Sequence, residues 1–94
     1  MPKFPVRIEL HEAKREDYTV LYEDMAFRGF TDTITSADGH TFQLPSGEYN
    51  YERQAMRAEV MSKARAAAIE TGIEYSVLVT ESAGRTYYNL DEAE

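Results

Sequence analysis

The sequence contains no cysteine among its 94 residues, which excludes disulfide bridges, thiolate metal sites and cysteine nucleophiles. No apolar run approaches the roughly 18 residues that a membrane-spanning helix requires. The first five residues are too few and too polar to form a signal peptide. These absences predict a soluble cytoplasmic protein that has no membrane partner.

Recognisable catalytic and cofactor motifs are also missing. The chain has no P-loop, no Gly-x-Gly-x-x-Gly, no His-Glu-x-x-His and no Gly-x-Ser-x-Gly. Histidine occurs only at His11 and His40, which excludes a multi-histidine metal site and favours two solvated strand-end residues. Glu9, Glu12 and Asp17 could hold a metal ion, but a solvated acidic cluster is the favoured interpretation. The sequence thus predicts no cofactor, metal or small-molecule ligand, and assigns no catalytic residue.

The composition is that of a folded protein with an acidic surface. Hydrophobic residues make up 43% and charged residues 29%, which is ordinary for a globular chain. This length predicts one domain covering residues 1–94. The 17 acidic and 10 basic side chains give a net charge of −7, which opposes long-range attraction to a polyanion.

Alternating apolar and polar residues indicate the strands. Apolar side chains recur at period two in the first segment, and polar side chains occupy the opposite phase, which predicts a strand with one face on a core and one facing water. The apolar residues are Phe4, Val6, Ile8 and Leu10, and the polar ones are Lys3, Arg7, Glu9 and His11. Aromatic and β-branched residues predict a hairpin with strands at 30–36 and 40–45 around Asp38-Gly39. An irregular segment through Glu48 and Tyr49 follows. A last strand is predicted at 75–81, then a short fifth strand or extended tail at 85–90 and an acidic end that frays from about residue 91.

Helical spacing occurs at 12–30 and at 51–71, with Asn50 as the expected N-cap of the second helix and glycines after both helices. The order strand, helix, strand, strand, helix, strand predicts an α+β, ferredoxin-like βαββαβ domain. Its four-stranded antiparallel sheet would carry both helices on one face and leave the other face open. The residues expected to face the core from the helices are Tyr18, Leu21, Tyr22, Met25, Met56, Val60, Ala64 and Ala67 or Ala68.

A basic stripe on the second predicted helix is the candidate nucleic-acid-binding site. Arg53, Arg57 and Arg65 fall near one angular position at about 100° per residue, and guanidinium groups suit phosphate contacts. The alternative is an ordinary solvent-facing helix surface with Glu52 and Glu59 as partners. The tyrosines expected to remain available for stacking on bases are Tyr49, Tyr51, Tyr87 and Tyr88.

Several short runs resemble a known family. They are F-x-V-R-I-E-L-H at 4–11, D-Y at 17–18, G-F at 29–30 after Met25, D-G at 38–39, F-x-L-P at 42–45, E-Y at 48–49 and Y-S-V-L-V-T-E at 75–81. Together they span nearly the whole chain. The sequence resembles the small bacterial DUF2622 family, which groups with the GhoS antitoxins of type V toxin–antitoxin systems.

This resemblance implies a ferredoxin-like fold similar to the Cas2 nucleases, and an endoribonuclease that cuts the messenger RNA of a small membrane-damaging toxin. In the GhoS branch, cleavage is tied to an arginine on the first helix, whereas the matching stretch here, 20–22, has no basic side chain. His11, Arg7 and Arg28 are a conceivable catalytic trio. The expected topology, however, places the ends that carry them at opposite edges of the sheet.

Two other functions stay open at this point. The first is a non-enzymatic protein-interaction module, such as a homodimer formed through the open sheet face or through edge pairing at 85–90. The second is a ligand site between the sheet and the helices, although no constellation of polar residues in the sequence points to a ligand.

Overall fold

The computed structural model describes residues 3–82, Leu90 and Ala93. This part of the chain forms β1 (Phe4–Leu10), α1 (Arg15–Phe27), β2 (Thr33–Thr35), β3 (Thr41–Gln43), β4 (Glu48–Tyr51), α2 (Arg57–Glu70) and β5 (Tyr75–Val79). β1 lies in the middle of an antiparallel sheet with the order β4-β1-β5, and β2 and β3 form a separate antiparallel pair. The predicted α+β class is therefore confirmed.

The predicted alternation in β1 is also confirmed, and it determines where the core lies. The inward side chains of β1 are at most 4% exposed, while Arg7 and Glu9 face solvent. Both helices therefore cover the same face of the sheet, because their buried residues join one cluster with the inward residues of β1. The cluster includes Phe4, Val6, Ile8, Leu10, Leu21, Met25, Val60, Ala64, Ala67 and Ala68.

The prediction of one four-stranded sheet is wrong. The segment expected to be irregular forms β4 and pairs with β1, because the rings of Tyr49 and Tyr51 enter the core at 5% and 2% exposure. The hairpin strands are shorter than predicted and form their own sheet. An isolated antiparallel pairing of Thr31 with Asn50 links the chain that enters the hairpin to β4.

The N-terminal boundary of the second helix is also wrong. Asn50, the expected N-cap, belongs to β4, and α2 begins at Arg57 with Met56 as N-cap. Residues 52–56 are needed to lead the chain from the sheet to the helix. Met56 and Tyr22, both expected in the core, are 77% and 46% exposed. The predicted strand at 85–90 and most of the acidic end lie outside the described residues.

Candidate functional site

Basic side chains collect at the end of the sheet where β1 begins and β4 ends. Tyr51 pairs with Phe4 there, and the guanidinium carbon of Arg53 lies 5.8 Å from the centre of the Tyr51 ring. Lys63 reaches the same ring, with its Nζ 5.1 Å from the centre and 2.8 Å from the hydroxyl, to which it donates. A Cβ at Gly29 would lie only 2.9 Å from the Arg53 Cζ, so the end of α1 is adjacent. The group formed by Lys3, Arg28, Arg53, Arg57 and Lys63 is termed the basic end.

The members of the basic end differ in how much acidic charge surrounds them. Arg28 donates to Asp24 at 2.8 Å, whereas Arg57 and Lys63 lie 3.7 Å and 4.0 Å from acidic oxygens of Glu81 and Glu59. Within residues 3–82, Arg53 forms no ion pair, and its guanidinium contacts the Tyr51 ring instead. Arg53 and the exposed Lys3 are therefore the cations of this group that have no acidic partner within residues 3–82, and both are open to an external anion.

The single helical stripe expected for Arg53, Arg57 and Arg65 is not formed, because α2 begins only at Arg57. Arg65 donates from Nε to the Tyr75 hydroxyl at 3.1 Å, and this hydrogen bond raises the pKa of its guanidinium. Tyr75 pairs with Leu10 at the far end of β1, about 20 Å from the basic end at the usual strand rise. Arg53 and Arg57 thus lie toward the end of the sheet where β1 begins, whereas Arg65 lies at the other end.

The tyrosines expected to stack on bases have other positions. Tyr49 and Tyr51 are buried, and Tyr87 and Tyr88 lie outside the described residues. Tyr51 instead supplies its ring to Arg53 and Lys63. Stacking on the expected surface is therefore not available from the two described tyrosines.

The conceivable catalytic trio is not assembled. The Nε2 of His11 lies 2.8 Å from the Ser76 Oγ at one end of β1, while Arg28 is held by Asp24 at the basic end. His40 lies in the hairpin, with its ring 6.4 Å from that of Phe42. These positions leave no base and cation of the trio within reach of one phosphate.

Of the three acidic residues considered for a metal, Asp17 has a structural role. Asp17 accepts the backbone N–H of Lys14 at 2.8 Å and so caps α1. Across the part of the chain that the structure describes, no three His, Asp or Glu side chains are placed to hold a metal ion.

A concavity among the described residues lies beside the start of β4, whereas the basic end lies where β4 ends. A cleft of about 310 Å³ separates α1 from the segment that runs from β3 into β4. This cavity is termed the tyrosine cleft. Its lining includes Tyr18, Tyr22, Asp32, Gln43, Glu48 and Tyr49. Sequence analysis missed this site because its members come from four separate segments. The i, i+4 spacing of Tyr18 and Tyr22 was the only signal, and it also fits a core face.

Hydrogen bonds fix the walls of the tyrosine cleft. The Tyr18 hydroxyl accepts the N–H of Leu10 at 3.0 Å, and the Gln43 amide donates to the Asp32 carboxylate at 2.8 Å. Burial raises the pKa of the Tyr49 hydroxyl to about 12, and the Asp32 charge, with the hydroxyls of Tyr22 and Tyr18, adds to this. The cleft is therefore an ordered, electronegative pocket lined by three phenol rings.

Comparison with known proteins does not identify the function of either site. No described helix combines the length and the apolar composition needed to cross a membrane. No known family model matches the chain, and no curated protein matches it significantly.

Proposed function

We propose that this chain is a ferredoxin-like, GhoS-type antitoxin that binds single-stranded RNA, such as a toxin's messenger RNA, through the basic end. The strand order β4-β1-β5 supports the fold, because a ferredoxin-like sheet has its first strand between two antiparallel neighbours. The pairing of Thr31 with Asn50 adds support, since it brings the chain beside β4 where a fourth strand would lie.

The exposed guanidinium of Arg53 is the observation that carries RNA binding. It lies beside Lys63 on the Tyr51 ring and is four residues from Arg57, so several cations can reach one stretch of phosphates. The net charge of −7 limits attraction at long range, so the contact is local. We expect modest affinity that falls steeply with salt.

Binding, rather than cleavage, is the step that the described side chains support. Metal-free cleavage of RNA needs a proton acceptor and a cation beside the scissile phosphate. His11, the histidine considered for this role, lies at the other end of β1 from Arg53. A nuclease activity of the family type would require residues other than the considered trio.

Fluorescence anisotropy with a short single-stranded RNA tests the proposal. At about 50 mM salt the wild type is expected to bind, and Arg53→Glu with Arg57→Glu is expected to weaken binding at least about tenfold. Arg15→Glu with Arg65→Glu is the matched control, since it makes the same charge change away from the basic end. Absence of wild-type binding, or equal weakening by both double variants, would refute RNA binding at the basic end.

A homodimer through the open sheet face is the second candidate, favoured by one exposed apolar side chain. Leu78 is 63% exposed and pairs with Arg7, while Glu9 lies on the same face. In a two-fold dimer, Arg7 of one copy could meet Glu9 of the other around Leu78. Sedimentation equilibrium should then show a dimer that Leu78→Asp dissociates and that the similarly exposed control Ile69→Asp does not. A wild-type monomer at high concentration would exclude this candidate.

A further inference from the structure

The tyrosine cleft is distinct from the basic end and carries the opposite charge. Its floor is Tyr49, which is 5% exposed, and Tyr18 and Tyr22 line the α1 side one helical turn apart. Asp32 and Glu48 also line it, and none of the described lining residues is basic. Neither carboxylate forms an ion pair with another side chain in the described part of the chain.

The backbone holds the acidic group of the cleft in place before any ligand arrives. The Asp32 carbonyl accepts two N–H groups, from Leu44 at 2.8 Å and from the Gln43 side chain at 2.9 Å. The Gln43 amide also donates to one oxygen of the Asp32 carboxylate. Asp32 is thus fixed in position, and its carboxylate can still accept a hydrogen bond from a further donor.

We infer that the tyrosine cleft binds an organic cation, namely an ammonium or guanidinium group. The faces of phenol rings attract cations, and the half-buried Tyr18 and the exposed Tyr22 supply rings that a ligand can reach above the buried Tyr49. The Asp32 carboxylate adds an opposite charge to the same lining. A volume of about 310 Å³ is at the lower end of the range for small-ligand pockets, which fits one such group and a short stem. The inference does not depend on RNA binding at the basic end.

A nucleotide fits the same cleft less well. Its base could stack on a tyrosine and donate to Asp32, but its phosphate would approach two carboxylates with no lining cation to compensate. A cation gains from every charged group in the lining. The electrostatics therefore favour the cation over the nucleotide.

Two sources could supply the cation, and titration calorimetry at low salt distinguishes them. Choline represents a free small cation, and blocked tripeptides with a central lysine or arginine represent the side chain of a protein partner. The uncharged alcohol in which carbon replaces the choline nitrogen tests whether the charge matters, and guanosine monophosphate tests the nucleotide.

Variants assign the binding to the cleft. Asp32→Asn and Tyr22→Leu are each expected to weaken cation binding about tenfold or more. Glu23→Gln removes the same charge from an exposed neighbouring site of α1, and Phe27→Leu removes an aromatic ring that is 87% exposed, so both controls should bind as the wild type does. Thermal unfolding of each variant shows whether it is folded.

Each outcome supports one source of the cation, supports the site, or overturns the inference. Binding of choline alone supports a free cation, binding of the peptides alone supports a partner side chain, and loss in the cleft variants but not in the controls supports the site. Three results would overturn the inference: no binding of choline or peptide at about 1 mM, equal binding of the uncharged alcohol, or preference for guanosine monophosphate.

Discussion

The basic end and the tyrosine cleft lie at the two ends of β4 and differ in how their side chains are held. In the cleft, the Tyr18 hydroxyl and the Asp32 carboxylate are fixed by hydrogen bonds of 3.0 Å and 2.8 Å. At the basic end, Arg28 and Lys63 are also held by hydrogen bonds of 2.8 Å, but Arg53 has ring contact alone and Arg57 has one ionic contact at 3.7 Å. A preorganised pocket suits selective recognition, whereas the exposed Arg53 and Arg57 suit a variable phosphate chain.

The loop that closes the tyrosine cleft gives the largest expected effect. Gly47 has φ +82°, its carbonyl accepts the Ile8 N–H at 2.8 Å, and an added Cβ would lie 2.7 Å from the Ile8 carbonyl oxygen. Gly47→Ala should therefore lower the free energy of unfolding by about 3 kcal/mol, measured by urea denaturation. Gly39→Ala, with φ +90° but open space around it, should cost only about 1 kcal/mol. Equal losses would mean that backbone strain alone, and not the contact with β1, fixes this loop.

The next largest effect is the pH dependence of stability that Tyr49 gives the cleft. The Tyr49 pKa is about 12 in the folded protein against 10.0 for an unperturbed tyrosine, so the folded state keeps its proton longer. Below pH 10 Tyr49 contributes no pH dependence, and between pH 10 and 12 the free energy of unfolding should fall by about 2–3 kcal/mol. Urea denaturation of wild type and Tyr49→Phe across this range isolates the contribution. A wild-type curve parallel to that of Tyr49→Phe would contradict the raised pKa, and with it the burial of the Tyr49 hydroxyl beside Asp32.

The glycine beside Arg53 tests the basic end with a smaller change. Gly29 and Gly72 both follow a helix with positive φ, but only Gly29 lies against the Arg53 guanidinium. Alanine at either position should cost about 1 kcal/mol of stability, because each strains the backbone in a similar way. Only Gly29→Ala should also change RNA affinity in the anisotropy assay, by displacing Arg53. The same RNA affinity for both variants would count against a role for Arg53.

Periodicity was sufficient to predict the parts of the fold in which local pattern and burial agree. The alternation of β1 and the position of Gly29 and Gly72 after the helices were predicted correctly because each depends on neighbouring residues. β4 was missed because Tyr49 and Tyr51 become buried only through pairing with Val6 and Phe4, about 45 residues away in sequence.

The candidate sites depend still more on tertiary structure. The predicted helix from residue 51 placed Arg53, Arg57 and Arg65 on one face. In the structure, β4 continues to Tyr51 and α2 begins only at Arg57, so Arg53 precedes the helix. The tyrosine cleft joins α1 to Asp32 and to the loop before β4, which no sequence spacing connects. Charge and residue type were enough to predict a basic surface, whereas the acidic cleft can be recognised only from the three-dimensional structure.

The smallest effect comes from the ion pair that holds Arg28 at the edge of the basic end. Asp24 accepts from the Arg28 Nε at 2.8 Å, and both side chains are partly exposed at 23% and 30%. Asp24→Asn should lower the free energy of unfolding by only about 0.5 kcal/mol, as for other helical i, i+4 pairs. It should also strengthen RNA binding severalfold at low salt, because Arg28 then has no carboxylate partner beside Arg53. Glu23→Gln makes the same charge change at an exposed position outside the described ion pairs. If both variants strengthen binding equally, net charge rather than the freed Arg28 governs affinity, and the basic end is not a local site.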